Sequence, residues 1–456
     1  MGHSALKKVS PARFLYYNNN VMKNWNFALR GDICWSTSPQ SLAEEKNAFA
    51  VCAEGKSAGV FSRLPRQYAG FPLIDCPGRL ITPGLVDLHV HAPQFAFRGL
   101  GMDLELLDWL KTHAFPEETK YSDLAYAAKA YGLFTEHIKR GPNTRAAVYA
   151  TVHVPATMIL MDLLEESGLV SLVGKVNMDR NSPEGLTEES AASSLEATKE
   201  WLAACAAPGK YANTKPILTP RFIPSCSDEL MRGLGALQRE FNLPVQSHLS
   251  ENRSEIEWVK ELCPASGGYG AAYLDFGLFG GASAAPAVMA HCVWTDEEET
   301  ALMARQGVFA AHCPQSNENL SSGIAPVRRL LRAGVPAGLG SDVAGGTNSS
   351  IFRAMAEAIR VSKLRRPLLG IDEKALTLEE AFYLGTAGGG AFFGKAGMGY
   401  CGSFEPGYDF DALVINDGAL AAPFDLSIRE RLERVVYLSD DRHIEAKYVR
   451  GRPVIS

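Results

Sequence analysis

The sequence predicts an α/β protein built round a closed (β/α)8 barrel of the TIM type, with a small β domain assembled from both ends of the chain. Two observations carry that expectation. Eight short apolar runs alternate with amphipathic stretches through the middle of the chain. Strands alternating with helices imply a parallel sheet, and eight such units point to closure rather than an open, doubly wound sheet. The flanks lack this rhythm and read as short strands broken by turns.

The elements follow in order. From about Ala12 to Cys76, strand-like pieces are separated by turn formers such as Asn18-Asn19-Asn20. The eight barrel strands are expected at Leu80–His91, Ala146–His153, Leu172–Met178, Pro216–Ile223, Pro244–His248, Ala287–His291, Val308–His312 and Pro336–Ser341. Helical patterns between them include Leu104–Phe115, Glu188–Cys205, Ser227–Phe241, Glu251–Leu262, Thr295–Arg305 and Ser350–Leu364. From about Lys395 the chain reads turn, strand, turn, strand, with strands at Asp411–Ile415, Val435–Leu438 and Lys447–Val449. Neither end is large enough for a core of its own. The expected boundaries are therefore 78–394 for the barrel, with 1–77 and 395–456 forming the small β domain.

Composition narrows the function. A chain of 456 residues fits two or three domains, or one large barrel with an appendage. It is 46% hydrophobic and 21% charged, which excludes a disordered or fibrous protein. No apolar run of about 18 residues is present, so no membrane span is expected. The stretch Met1–Ser10 lacks the apolar core of a signal peptide, and Leu6 breaks the myristoylation pattern. A net charge of -6 without a basic stripe argues against nucleic acid as a partner. The nine cysteines form no CxxC pair, and their odd number favours reduced thiols and a cytoplasmic protein. The N-x-S/T triplets at Asn252, Asn319 and Asn348 then carry no meaning.

The chemistry gathers at the strand ends. His89 and His91 close the first strand, and alternate strand residues share a face, so both imidazoles point the same way. His248 closes the fifth strand, His291 the sixth and Asp342 the eighth. Four of the ten histidines and one aspartate thus meet at the mouth of the barrel, where such folds keep their chemistry and where they can bind a metal ion. Any one of them alone would read as a core histidine; all five together do not. His312 ends the seventh strand and can join the site, though a place behind it or in packing is the favoured expectation, while His113, His137, His153 and His443 are expected to be structural or exposed. Glu251, three residues after His248, falls at a helix start, where the dipole favours an acid; beside a metal it can instead shuttle protons.

Two other patterns mislead. Gly389 to Ala396 is one residue short of a P-loop and lacks its hydroxyl. His443-Ile444-Glu445 matches half of a zinc deaminase signature whose PCxxC half is absent.

The motifs together resemble the guanine deaminase family of the metal-dependent amidohydrolase superfamily. The pieces that carry the resemblance are Pro83–Gln94, Leu106-Leu107-Asp108-Trp109-Leu110, Arg221-Phe222, Ser247–Arg253, His312-Cys313-Pro314 with Ser316-Asn317, and Ser341–Gly346. They run from about residue 80 to 395. The resemblance implies a distorted (β/α)8 barrel with a small β-sandwich, a homodimer, and one Zn2+ per chain held by His89, His91, His248 and Asp342. His291 would orient the attacking water, Asp342 would accept its proton, and Glu251 would protonate N3 of guanine before attack at C2 yields xanthine and ammonia. Gln94, Arg221, Phe222, His248 and Glu251 would contact the purine. Binuclear relatives bridge two metals with a modified lysine at the end of strand four; Arg221 stands there, which implies a single metal. Gln315 and Glu318 depart from the family pattern in the strand-seven loop, where they bear on packing. Two rivals remain at this stage: a related deaminase acting on an adenosine-derived compound or a triazine, and an inactive barrel serving as an oligomeric scaffold.

Overall fold

The computed structural model describes residues 8–9, 25–281 and 285–455. The Met1-to-Leu6 reading and the Asn18-Asn19-Asn20 turn formers lie outside them. The strands in chain order are β1 (Lys8–Val9), β2 (Phe27–Ser38), β3 (Ser41–Ala53), β4 (Lys56–Phe61), β5 (Leu73–Pro83), β6 (Leu85–His91), β7 (Asn143–Tyr149), β8 (Val170–Gly174), β9 (Val176–Asn177), β10 (Thr214–Pro216), β11 (Thr219–Pro220), β12 (Val245–Leu249), β13 (Ala287–His291), β14 (Phe309–His312), β15 (Ala337–Leu339), β16 (Ala412–Ile415), β17 (Ile444–Val449) and β18 (Arg452–Ile455).

The chain divides into two compact units. One holds the residues up to Val86, Ile138–Arg145 and those from Thr377 onward; the other holds Asp87–His137 and Ala146–Leu376. In the first, strands from both chain ends share one sheet in the order β18-β17-β16-β5-β2-β3-β4, with β1 also on β5. β16 runs antiparallel to β5, pairing Ala412 with Pro83 and Ile415 with Leu80. Phe27, Ile33, Ile81, Phe410, Val414 and Tyr448 form its buried cluster. An apolar face drawn from such distant residues explains why neither end suffices alone.

The second unit is α/β with parallel sheets. β12, β13, β14 and β15 lie side by side in that order, each parallel to the next. A further sheet has the order β10-β8-β7-β6, and β11 pairs with β9. Register brings the functional ends level: Leu249 of β12 pairs with His291 of β13, and His312 of β14 with Leu339 of β15. The strands are nearly continuous in buried residues, as both faces of such sheets are covered. Three of the intervening helices have a start marked by a side-chain cap. Ser227 caps Asp228–Phe241 by accepting from the Leu230 N–H, Asn252 and Glu255 form a capping box for Arg253–Leu262, and Asp296 caps Glu297–Gln306. No helix among the described residues is long and apolar enough to cross a membrane.

All eight expected barrel strands contain observed strands. The first, Leu80–His91, is two strands divided at Gly84, whose N–H turns to the Asp411 carbonyl. The expected helix Leu104–Phe115 is helical from Leu106 but passes through a π turn at Leu110–Ala114. One expectation fails: Val435–Leu438 is the last turn of the helix Ile428–Leu438 and not a strand. Ser427 and Glu430 cap that helix, and Ile428, Leu432, Val435 and Val436 form its buried stripe. The short apolar run alone looked like a strand because the stripe's spacing begins before it. The closing strand β18 was not expected.

The glycine run that imitates a P-loop has a packing cause. Gly390 lies in the helix Gly389–Lys395, where a Cβ would come within 2.0 Å of the Cys401 carbonyl oxygen. Only glycine allows that approach.

Candidate active site

The strand ends place five side chains round one point. The Nε2 atom of His91 lies 3.2 Å from that of His89 and 3.3 Å from that of His248. Asp342 Oδ1 lies 3.2 Å from His89 Nε2 and 3.4 Å from His91 Nε2. His291 Nε2 stands 3.7 Å from Asp342 Oδ2 and 3.4 Å from Glu251 Oε2. All are buried apart from the half-buried His248. Backbone strain marks the same ends, since His291 and Asp342 have φ of 72° and 44°, a region costly for residues other than glycine. A Cβ on Gly340 would lie 2.8 Å from the Cβ of His89, so this neighbour must be glycine for the last strand to approach the first.

Hydrogen bonds behind the site orient His248 and His291. A carbonyl only accepts, so His248 Nδ1 donates to the Arg221 carbonyl at 2.7 Å and its Nε2 keeps a lone pair. His291 Nδ1 likewise faces Asn317 Oδ1 at 2.9 Å. Asp87 accepts from the backbone N–H groups of His89 and Ser341, tying the two ligand-bearing strand ends together. Burial pushes His89, His91 and His248 below the ordinary histidine range, so they are neutral near pH 7. Burial opposes ionisation of Asp342, but the surrounding imidazoles, His89 foremost, outweigh it and hold the carboxyl well below its usual range. Burial would lower His291 too; the Glu251 and Asp342 carboxylates raise it instead. Burial lifts Glu251 to about 7.

This donor set fits a metal ion. Bonds of ~2.0–2.1 Å at a tetrahedral centre place neighbouring ligand atoms about 3.3 Å apart, close to the separations among these atoms. The His248 lone pair faces His91 Nε2, and the Asp342 carboxylate faces His89 and His91. His89, His91 and His248 form one cluster with metal-ligand spacing, and His89, His291 and Asp342 another.

The cluster opens into a cleft. Of the residues expected to touch substrate, Gln94, Arg221, Phe222, His248 and Glu251 all line it. Leu106, Trp109 and Leu110 line it too, as do Trp258 and Glu255. The Phe222 ring meets Trp258 edge-on, with centroids 6.3 Å apart. Glu251 Oε1 accepts from Ser322 Oγ at 3.1 Å, while the Glu251 N–H is held by the Glu255 carboxylate at 3.1 Å.

His312 stands apart from both clusters; it is buried, and neither ring nitrogen has a hydrogen-bond partner among the described residues. Burial lowers it to about 3. His443 belongs to a capping box with Asp440. Gln315 accepts from the N–H groups of Thr347 and Asn348, which is loop packing. Sequence reasoning quoted Asp87 and Asn317 within motifs but gave them no role, and it missed Trp258 and above all Glu118, a buried acid bonded to both Gln94 and Arg221. Its only signal was an acid four residues after the buried Ala114, in register with an apolar helical stripe.

The chain belongs to the amidohydrolase family, whose model matches residues 80–454, and the members of that family are metal-dependent hydrolases. The relatives it resembles include guanine deaminases. It is 39% identical to guanine deaminase of Dictyostelium discoideum, over 84% of each chain. It is 38% identical to that of Homo sapiens, over 82% of each. Among solved structures, guanine deaminase from C. acetobutylicum with guanine in its active site superimposes with a TM-score of 0.89 at 45% identity, covering 94% of this chain and 99% of that one.

Proposed function

We propose that this protein is a zinc-dependent hydrolase that converts guanine and water to xanthine and ammonia. The observation that carries the reading is one cleft holding both a metal-ligand cluster and the donor side chains Arg221 and Gln94, in a chain whose relatives are guanine deaminases.

His89, His91, His248 and Asp342 would hold the metal, and three nitrogens with one carboxylate suit zinc. When bound, zinc lowers the pKa of water toward neutrality and so supplies a strong nucleophile at pH 7. The residues of the chain do the rest. Arg221 and Gln94 hold the carbonyl edge of the purine, and Phe222 packs near the ring. Asp342 takes the proton of the attacking water, whose position His291 fixes by hydrogen bonding. Glu251 gives a proton to N3, which makes C2 electrophilic; the proton taken by Asp342 goes to the departing amino group, and the proton left on the new C2 oxygen returns to Glu251 as the carbonyl forms. The water oxygen bonds to C2, the C2–N bond breaks, and ammonia leaves. A carboxyl near 7 is suited to both giving and taking a proton at neutral pH.

The same reading closes the strands of residues 78–394 into a distorted (β/α)8 barrel. In support, the Asp342 N–H bonds to the His89 carbonyl and the His91 N–H to the Val343 carbonyl, beside β15 and β6, and a bridge pairs Leu218 with Val245. The terminal sheet, from 1–77 and 395–456, would belong to a small β-sandwich. Nine free cysteines suit the reducing cytoplasm. The exposed Leu364, Leu368 and Leu369 of one helix offer apolar surface for a homodimer.

Purified protein incubated with guanine and with adenine tests the reading by ammonia release. Adenine lacks the C2 amino group that must leave and sets a donor against Arg221, a pure donor. We expect ammonia and xanthine from guanine and essentially none from adenine. Comparable kcat/KM for the two would overturn it in favour of a deaminase of another amino-heterocycle.

A further inference from the structure

Glu118 does not line the cleft, yet it grips both of the side chains assigned to the purine edge. Its Oε1 accepts from Gln94 Nε2 at 2.8 Å and from Arg221 Nη2 at 3.0 Å, and its Oε2 accepts from Arg221 Nη1 at 2.5 Å. Glu118 is 2% exposed, Gln94 2% and Arg221 5%. A fork of two parallel N–H···O bonds is the strongest and most directional pairing a guanidinium makes.

This placement has two consequences. The first is charge. A buried guanidinium beside a site for a dication is costly unless an anion answers it, and Glu118 is that anion. The second is orientation. An ionised carboxylate only accepts, so the atom Gln94 turns toward it is the amide nitrogen. The other end of that amide, Oε1, accepts from the Ala344 N–H at 3.3 Å. What Gln94 and Arg221 have left for a ligand is N–H on both. An edge of donors takes a ligand that offers acceptors, which in a purine means a carbonyl at C6 next to N7.

We infer that Glu118 is a positioning residue that sets this pocket for 6-oxopurines, acting through Gln94 and Arg221. The inference rests on the guanine reading above and names the residue that enforces it. Without a fixed anion behind it, the Gln94 amide can turn and present its oxygen, and Arg221 loses the partner that holds its plane.

Hypoxanthine and adenine isolate the effect, because both lack the C2 amino group and differ at the C6 edge. Calorimetric binding to the metal-loaded protein is the readout. We expect the wild type to favour hypoxanthine, and Glu118→Gln to lower the hypoxanthine-to-adenine affinity ratio at least ~10-fold with metal content unchanged, the scale of losing a buried polar discriminator. With guanine the same variant raises KM much more than it lowers kcat, the mark of lost uniform binding. On an Arg221→Met background, Glu118→Gln adds little further loss, because the interaction it supports is already gone. Where Glu118→Gln does not fold, Glu118→Asp, which keeps the charge but draws back from Gln94, reads the same ratio. A wild type that neither deaminates guanine nor binds hypoxanthine overturns the functional reading and the inference with it. A wild type that does both, with an unchanged affinity ratio in the variant or an equal loss for both purines, overturns the inference alone.

Discussion

Two buried polar clusters in this protein make opposite demands. The histidine cluster of the second unit brings ring nitrogens and a carboxylate face to face, with separations of 3.2–3.4 Å. The cluster round Arg145, in the terminal unit, is complete in itself. The Arg145 side chain is 0% exposed, and its Nε and Nη2 donate to Asp411 and Asp409 at 2.8 and 2.7 Å. Its Nη1 donates to the carbonyls of Met398 and Gly399. Lys56 and Arg450 add further cations to Asp409. One cluster is a vessel for a cation from outside; the other carries its own. A buried polar group costs free energy unless answered, so the difference tells which cluster binds and which only holds the fold.

The sharpest way to break this contrast is to remove the metal. Chelation should abolish deamination and lower the melting temperature, since a ligand bound only by the native state stabilises it. Zinc should restore both, and His89→Ala, His248→Ala or Asp342→Ala should each lose most bound metal by elemental analysis. Full occupancy and activity in all three variants would end the assignment. Next in size is Glu251→Gln, which keeps shape but cannot exchange a proton at neutral pH. We expect bound metal to be retained and kcat to fall ~10²–10⁴-fold. A rate within a few-fold of wild type would reduce Glu251 to a residue of a helix start.

The self-contained cluster answers to stability, not to metal. Arg145→Met leaves the buried Asp411 without its cation, while Asp409 keeps Lys56 and Arg450, and should cost ~3–5 kcal/mol in denaturant unfolding with metal content untouched. A loss below about 1 kcal/mol would show that water reaches Asp409 and Asp411. The smallest effect sharpens the comparison within the terminal unit. Lys447, 0% exposed, donates to the carbonyls of Ile138, Gly141 and Asn143, at 2.7–3.1 Å. Burial lowers it to about 7. A native pKa below the unfolded value means that the native state holds fewer protons between about 7 and the ordinary lysine range. Its destabilising cost is thus full below that window and relieved as pH rises through it. Relative to Lys447→Met, the wild type should gain ~1–3 kcal/mol between pH 7 and 9. A flat difference would mean that the carbonyls hold the ammonium fully charged across that range.

How much of this was legible depends on distance along the chain. His89 and His91 announce themselves through strand alternation, and Ser227, Asn252 and Asp296 mark helix starts within four residues. Each is a local rule that works on neighbours. The strand expected at Val435–Leu438 failed because four apolar residues satisfy two periods at once, and the cap that decides between them lies eight residues earlier.

What the sequence by itself determined is the alternation of strands and helices and the chemical identity of the groups at the strand ends. Both follow from side-chain period and backbone sterics over a few residues. The tertiary structure alone decided which of those groups meet and in what state. The fork between Glu118 and Arg221 joins residues 103 positions apart. Arg145 reaches Asp411 across 266. Such pairings come from the packing of whole elements, and burial then sets their charge, because only when water is excluded must an imidazole be neutral or an arginine be answered.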